Sequence, residues 1–227
     1  MIDWRKIKAV FFDMDGVLYD SMKNHEMTWI ESFKQYDIAL PAFEAYLNEG
    51  RTGNATIDYI FRKYLNRPAS LQEQEDVYAY KTQLINQAPR AEIMPEMPVL
   101  LAFLRTEAIA TFVVTGSRQP ALIEKLNRDF GIEAHQIVSG ADVKKGKPDP
   151  EPYLMALKKS GVNKEECLVV ENAPLGIESA KAAGIYTIAV NTGVLEDAVL
   201  YDAGANELFD DTASLASHWM EALSQNK

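Results

Sequence analysis

Two aspartates and a glycine follow a short apolar run near the N-terminus, between residues 10 and 18. A run this short, rich in β-branched and aromatic residues, indicates a buried strand, and open α/β sheets bind ligands where such strands end. Side chains alternate along a strand, so Asp13 and Asp15 would point the same way if the strand geometry continued. Two carboxylates crowded there need a cation, although an isolated pair of this kind is otherwise typical of a solvated loop. We therefore predict an active site at Asp13, Asp15 and Gly16.

Three further apolar runs end in polar residues in the same way. The runs are Thr111–Val114, followed by Thr115, Gly116 and Ser117; Cys167–Val170, followed by Glu171 and Asn172; and Tyr186–Val190, followed by Asn191, Thr192 and Gly193. Helical segments lie between them; in one, Asp149 is the expected N-cap, Pro150 the first helical residue and Gly161 the stop. Strands that alternate with helices predict an α/β fold with a doubly wound parallel sheet.

The composition is typical of a globular enzyme. The chain has 227 residues, of which 47% are hydrophobic and 25% charged. No apolar run approaches the ~20 residues of a spanning helix, and the N-terminus lacks the apolar core of a signal peptide. We therefore expect no membrane partner. A net charge of −10 argues against nucleic acid but allows a small phosphorylated substrate, because a metal and a few local cations override the global charge. The single cysteine, Cys167, lies in an apolar run, which indicates a reducing, cytoplasmic location.

Residues 21–92 differ in character from the rest of the chain. Four helical segments follow one another there without a strand-like run: the first is centred on Trp29, the second and third cover Phe43–Leu47 and Ile57–Leu65, and the fourth opens with a capping box that joins Ser70 to Glu73. We predict a helical cap domain at 21–92, inserted into an α/β core domain formed by 1–20 and 93–227. The two short connections would act as a hinge.

Four motifs, in their order along the chain, resemble the signature motifs of the haloacid dehalogenase superfamily of phosphotransferases. They are Asp13–Leu18, Thr115–Ser117, Lys147–Pro148 and Glu171–Asn172. The inserted helices resemble the cap of the β-phosphoglucomutase and phosphoglycolate phosphatase branch, which implies a Rossmann-like core. Within that branch, the segments Glu49–Gly53, Gly146–Tyr153 and Glu171–Gly176 are similar to those of Bacteroides-type inorganic pyrophosphatases. The likeness covers essentially the whole chain, and the set of four motifs is specific although each alone is weak.

This resemblance implies a covalent mechanism. Asp13 would be the nucleophile that forms an aspartyl phosphate, and Asp15 would protonate the leaving oxygen and then activate water. Mg²⁺ would be the cofactor, because it neutralises the phosphoryl oxygens as the carboxylate approaches. The ligands that the resemblance implies for the metal are Asp13, Asp15, Glu171 and Asn172.

The resemblance also implies which residues bind the phosphoryl oxygens. Ser117, or alternatively Thr115, would supply a hydroxyl, and the backbone around Gly116 would supply N–H groups. Hydroxyls at strand ends also cap helices routinely, which is the structural alternative for Ser117. Lys147 would provide a compact positive charge.

Two features depart from the family pattern. The second acid of the metal-binding motif is here the amide Asn172, which offers an oxygen but no charge. Where sugar-phosphate mutases carry basic residues for a distal phosphate, Glu49 and Gly53 stand, with Arg51 between them as a candidate phosphate ligand. Glu49 would become a metal ligand on cap closure, or alternatively would face solvent. His25 matches a cap-hinge histidine of the mutases near the substrate, and is otherwise a partly buried structural histidine.

The predicted function is Mg²⁺-dependent hydrolysis of inorganic pyrophosphate or a small phosphate ester. The alternative is a β-phosphoglucomutase, which needs a phosphoenzyme that survives long enough to phosphorylate a sugar. A more distant alternative is a non-catalytic binding relative, which would be expected to lack Asp13.

Overall fold

A six-stranded parallel sheet forms the centre of the molecule in the computed structural model, which describes residues 2–118 and 121–225. The strands are β1 (Ala9–Phe12), β4 (Ala110–Val114), β5 (Ile137–Val138), β6 (Cys167–Glu171), β7 (Tyr186–Val190) and β8 (Glu207–Phe209). Their spatial order is β5-β4-β1-β6-β7-β8. Phe12 lies opposite Val113 of β4 and Val170 of β6, so the three central strands end together at one edge. The predicted doubly wound parallel sheet is confirmed, and the core is Rossmann-like.

Helices cover both faces of this sheet. They are α5 (Met97–Thr106), α6 (Ala121–Phe130), α7 (Glu151–Ser160), α8 (Pro174–Ala182), α9 (Asp197–Ala203) and α10 (Thr212–Gln225). Alternation along β1 separates two apolar clusters: Val10 and Phe12 pack with α5, α6 and α10, whereas Ala9 and Phe11 pack with α7 and α8. None of the helices in the described part of the chain combines the length and apolarity needed to cross a bilayer.

The predicted start of helix α7 shifts by one residue in the structure. Helix α7 begins at Glu151 rather than Pro150, and Pro150 occupies the N-cap position. The Asp149 carboxylate still accepts a hydrogen bond from the Glu151 N–H at 3.0 Å, so it satisfies the first turn from one residue further back. The predicted stop at Gly161 is confirmed, because this residue adopts a left-handed conformation after the last turn.

Four helices lie between two short strands, β2 (Tyr19–Asp20) and β3 (Glu92–Ile93), which pair antiparallel as a separate two-stranded sheet. The helices are α1 (Met22–Lys34), α2 (Ala42–Leu47), α3 (Gly53–Leu65) and α4 (Leu71–Gln87). They share an apolar cluster of their own that includes Trp29, Phe33 and Phe61. The capping box of Ser70 and Glu73 at the start of α4 is confirmed. The division into a cap at 21–92 and a core at 1–20 and 93–227 stays our interpretation of this arrangement.

Candidate active site

Asp13 and Asp15 lie in the turn that follows β1, at the carboxyl edge of the sheet. Both are buried, with 4% and 7% of their surface exposed. The strand ends at Phe12, and the chain turns at Gly16 with a φ of +84°. A Cβ atom at Gly16 would lie 1.9 Å from the Asn172 side-chain nitrogen, so only glycine fits between the two motifs.

Lys147 joins the first strand end to the motif that follows β6. Its Nζ donates to Asp13 Oδ1 at 2.5 Å, to Glu171 Oε1 at 2.6 Å and to the Val114 carbonyl at 3.0 Å. Burial alone would lower the pKa of the ammonium, but the two carboxylates reverse this effect and the Lys147 pKa lies above its usual range. Lys147 is therefore a permanent cation within the acidic cluster.

Burial has the opposite consequence for the nucleophile candidate. It raises the pKa of the Asp13 carboxyl well above its ordinary value, an effect that Lys147 counters and Glu171 reinforces. Asp13 Oδ2 is buried and has no hydrogen-bond partner among the described residues. This oxygen is thus the atom of Asp13 that remains available to a cation or to phosphorus.

Glu171 ends β6 and is held by the protein on both oxygens. Its Oε1 accepts hydrogen bonds from Lys147 and from the Tyr153 hydroxyl, the latter at 2.6 Å, and its Oε2 accepts from the Asn172 N–H at 3.2 Å. The Asn172 Oδ1 atom, in contrast, is buried without a partner within the described chain. Asn172 therefore presents a second free hard oxygen near the end of β1.

These oxygens allow a test of whether Mg²⁺ fits the site. Within residues 2–118 and 121–225, no group of three or more His, Cys, Asp or Glu side chains is arranged to hold a metal ion by itself. The two orphaned buried acceptors, Asp13 Oδ2 and Asn172 Oδ1, are nevertheless the kind of hard oxygen that Mg²⁺ prefers, and Mg²⁺ keeps its remaining positions for water and phosphate oxygens. The donor set fits the ion.

The predicted phosphate loop follows β4. Thr115 is buried and its Oγ1 accepts the Ser117 N–H at 3.1 Å, which fixes the turn. Gly116 and Ser117 line a cavity of about 520 Å³ between the sheet edge and the inserted helices. A Cβ atom at Gly116 would lie 3.2 Å from the Gly50 carbonyl, so this loop and the segment between α2 and α3 approach closely.

The acid–base candidate Asp15 belongs to a second network, which reaches into the inserted helices. Asp15 Oδ1 accepts from the Ser21 hydroxyl at 2.5 Å and lies 3.4 Å from His25 Nε2, while His25 Nδ1 lies 3.5 Å from Lys81 Nζ. Burial would raise the pKa of Asp15, but His25 and the hydrogen bonds outweigh it and lower the pKa to about 2. Asp15 is thus an ionised carboxylate that lies against His25 of the inserted segment, residues 21–92 (the insert).

Sequence reasoning missed Lys81 and Tyr153 as polar members of the site. Val77 and Lys81 are the buried residues of α4 and stand one helical turn apart. A lysine on the apolar face of an amphipathic helix was the signal available for Lys81, because a buried cation needs anionic partners. Tyr153 gave no such signal, since a tyrosine in an apolar stripe packs equally well as core.

The segment between α2 and α3, residues 48–52, packs against the site. Gly50 has a φ of +83°, and a Cβ atom there would lie 2.8 Å from the Lys147 side chain. Burial raises the pKa of the Glu49 carboxyl, which also senses His25 and Asp15. Glu49 is half-buried and lines the same cavity as Asp15, His25 and Lys81. Arg51 lines the cavity with its guanidinium 5.0 Å from the centre of the Tyr59 ring.

Comparison with known proteins gives a consistent result. Residues 7–184 match the haloacid dehalogenase-like hydrolase family. Hexitol phosphatase A of Escherichia coli (strain K12) is 29% identical over 189 residues, or 82% of this chain and 84% of that protein. A β-phosphoglucomutase of Bacillus subtilis (strain 168) is 29% identical over 198 residues, with 82% and 84% coverage. The solved structure of a β-phosphoglucomutase-like protein from Bacteroides vulgatus is 46% identical, has a TM-score of 0.91, and covers 97% of this chain and 90% of its own.

Proposed function

The chain belongs to the haloacid dehalogenase-like hydrolase family, and on that premise we propose that it is a Mg²⁺-dependent phosphohydrolase acting through an aspartyl phosphate on Asp13. Its preferred substrate, in this proposal, is inorganic pyrophosphate. Cytoplasmic location is part of the same proposal and rests on the single buried cysteine, Cys167.

The first half of the reaction needs a nucleophile and neutralised phosphoryl oxygens. Asp13 Oδ2, the oxygen without a partner among the described residues, would form the new bond to phosphorus, and the bridging P–O bond would break. Lys147 lies against Asp13 Oδ1, where it holds the carboxylate and offers positive charge to the phosphoryl group. Ser117 and the N–H groups near Gly116 would orient the remaining oxygens.

Mg²⁺ would be held by Asn172 Oδ1, with Asp13, Asp15, Glu171 and Glu49 as the further candidate ligands. Since Asp13 Oδ2 is assigned to the bond with phosphorus, Asp13 would contribute Oδ1, the oxygen that also accepts from Lys147. When bound, it supplies charge neutralisation for the transferring group. Glu171 reaches such a role only by exchanging its contacts with Lys147 and Tyr153, because both of its oxygens accept protein hydrogen bonds.

The state of Asp15 favours pyrophosphate over an alcohol ester. A sugar alkoxide is a poor leaving group and needs a proton, whereas phosphate leaves as a stable anion. With its pKa lowered to about 2, Asp15 is ionised at neutral pH and holds no proton to give to an alkoxide. Transfer to Asp13 would therefore proceed most readily with phosphate as the leaving group, and Asp15 would orient the attacking water in the second half-reaction by accepting a hydrogen bond from it.

The observation that carries the substrate proposal is that Glu49 lines the same cavity as Asp15, His25 and Lys81. A carboxylate on the insert occupies room that a sugar needs and adds an oxygen next to the predicted metal site. A small substrate would leave Glu49 room beside the metal site, whereas a bulky ester would displace it. The enzyme would therefore discriminate between substrates by whether the complete site can assemble around them.

A sugar-phosphate mutase is the second candidate, favoured by the similarity to the mutase of Bacillus subtilis. Steady-state kinetics on pyrophosphate and on β-glucose 1-phosphate separate the two. We expect the wild type to hydrolyse pyrophosphate far better than hexose phosphates, and Glu49→Ala to reduce pyrophosphate turnover most. Glu75→Ala, at an exposed position of α4, is the matched control and should behave as wild type.

Two results would contradict this proposal. One is efficient interconversion of β-glucose 1-phosphate and glucose 6-phosphate by the wild type, which would favour the mutase. The other is a Glu49→Ala protein that hydrolyses pyrophosphate as well as the wild type, which would remove Glu49 from the chemistry.

A further inference from the structure

The end of the cavity that faces the hinge is lined by one side of α6. Ala121, Glu124, Lys125 and Arg128 all line it, and their consecutive spacings of three, one and three positions place them on one face of the helix. Arg90, just beyond the end of α4, lines the same end from the hinge. This part of the cavity therefore lies between the core and the connection to the insert.

The charge of the lining differs in sign from that of the whole protein. The chain carries a net charge of −10. The lysines and arginines that line the cavity are Arg51, Lys81, Arg90, Lys125 and Arg128, and the lining carboxylates are Asp15, Glu49 and Glu124. A cavity with surplus cations in an acidic protein favours an anionic ligand, because low-dielectric walls strengthen the local field.

Within the described chain, three of these cations form no ion pair: Arg51, Lys81 and Lys125. Of the three, Lys125 is the one carried by α6 of the sheet domain rather than by the inserted segment. Its Nζ lies 3.5 Å from the centre of the Tyr19 ring. Asp129, the nearby acid, instead accepts the Tyr19 hydroxyl at 2.9 Å and lies 3.3 Å from the Arg90 guanidinium. Among the ion pairs of the described residues, none involves Lys125. A half-buried ammonium without an anion has lost hydration that a ligand oxygen can replace.

The position of Lys125 relative to Asp15 points to the ligand. Asp15 and Lys125 line the same cavity, so the two groups face a common space. If Asp13 attacks one phosphorus of pyrophosphate, the other phosphate must lie on the Asp15 side. It then enters the space toward α6.

We propose that Lys125 binds the leaving phosphate, the phosphoryl group of pyrophosphate that is not transferred to Asp13. The inference rests on the proposed hydrolase function and adds the residue that recognises the second phosphate. As the bond from Asp13 Oδ2 to phosphorus forms, the bridging oxygen departs with its electron pair on the leaving phosphate. The Lys125 ammonium donates a charge-assisted hydrogen bond to that anion.

The test uses a reporter substrate that works whether or not pyrophosphate is the preferred substrate. The hydrolysis of p-nitrophenyl phosphate is measured with Mg²⁺ for the wild type, Lys125→Met and Lys125→Arg, with imidodiphosphate as a non-hydrolysable diphosphate inhibitor. Lys158→Met, which removes an exposed lysine from α7, is the matched control. Pyrophosphate hydrolysis is measured separately on the same proteins.

We expect Lys125→Met to raise the inhibition constant of imidodiphosphate and the KM for pyrophosphate by about tenfold or more, the usual loss for a hydrogen bond to a charged group. The circular dichroism spectrum of Lys125→Met should match that of the wild type, which shows that the variant is folded. Lys125→Arg should recover most of the affinity, and Lys158→Met should match the wild type.

The outcomes separate the inference from the function. Equal imidodiphosphate inhibition of wild type and Lys125→Met, or no inhibition of the wild type at all, overturns the role of Lys125 even if pyrophosphate is hydrolysed well. Poor pyrophosphate hydrolysis by the wild type overturns the proposed substrate. In that case a weakened imidodiphosphate inhibition in Lys125→Met still supports a diphosphate-binding end of the cavity.

Discussion

Replacement of Lys147 by methionine removes the cation that two buried carboxylates share. Lys147 Nζ lies 2.5 Å from Asp13 and 2.6 Å from Glu171, and the side chains of all three residues are at most 5% exposed. Loss of one partner from a buried ion pair costs about 3–5 kcal/mol, because the remaining charge is left without compensation. For a chain of this length, that free energy corresponds to a fall in melting temperature of roughly 6–20 °C.

The destabilisation should depend on pH in a defined direction. Burial raises the pKa of Asp13, and the loss of Lys147 raises it further. A carboxyl whose pKa is higher in the folded protein than in the unfolded chain binds protons on folding, so its cost grows as pH rises above the unfolded value. The stability deficit of Lys147→Met should therefore grow with pH through the interval between the Asp13 pKa of the folded wild type and the higher pKa of the folded variant.

Urea denaturation followed by circular dichroism and by the fluorescence of the buried Trp4 and Trp219 measures the unfolding free energy. Lys144→Met removes an exposed lysine from the same loop and should be neutral. Adding Glu171→Gln to Lys147→Met should recover part of the loss, because it removes one uncompensated charge. A Lys147→Met protein within about 1 kcal/mol of wild type, well under the cost of an unpaired buried charge, would refute the assignment of Lys147 as the required counter-charge.

Two further predictions concern activity. Asp13→Asn should lower turnover by orders of magnitude, because it removes the proposed nucleophile. The variant should unfold at the same urea concentration as the wild type or at a higher one, because the substitution also removes a carboxyl that burial destabilises. Near-normal turnover in the folded variant would exclude the covalent mechanism. Chelation of divalent metal should abolish phosphate release, and added Mg²⁺ should restore it. Ca²⁺ should inhibit, because its larger and looser coordination disturbs the in-line geometry of attack on phosphorus. Activity that persists after thorough chelation would contradict the Mg²⁺ requirement.

The strands that could be predicted are those whose apolar runs are long enough to be recognised in the sequence. The apolar runs at β1, β4, β6 and β7 are four or five residues long, and each was identified as a strand of a parallel sheet. Strand β5 has two residues and β8 three, too few to show any period, and both were missed. The same limit applies to β2 and β3, which are two residues each and are defined only by their pairing.

The site residues that could be predicted are the polar ones that stand directly at the end of a strand. Asp13, Glu171 and Thr115 needed only the rule that parallel strands end at one edge. Whether Lys81 belongs to the site depends on which side of α4 faces the core. Its partner His25 lies 56 positions earlier in the chain. Contacts of that separation are set by how the insert packs on the sheet, which local periodicity does not determine.

The two charge networks differ in which part of the chain supplies them, and this difference bears on the order of the reaction. Asp13, Lys147 and Glu171 all come from the sheet and its loops, so the proposed nucleophile, Asp13, keeps its counter-charge wherever the insert lies. Asp15 depends on His25 of α1, which in turn contacts Lys81 of α4.

A link between the sheet and the insert runs through the loop after β7. The Thr192 hydroxyl donates to the Gly16 carbonyl at 2.6 Å, next to Asp15, and a Cβ atom at Gly193 would lie 2.9 Å from Tyr46 of α2. Displacement of the insert would therefore separate Asp15 from His25 while leaving the contact of Asp13 with Lys147 in place. An aspartate in water is ionised at neutral pH, so the insert would supply the orientation of Asp15 rather than its charge. Orientation of the attacking water by Asp15 would accordingly need the insert packed on the sheet, which ties hydrolysis of the phosphoenzyme to the closed arrangement.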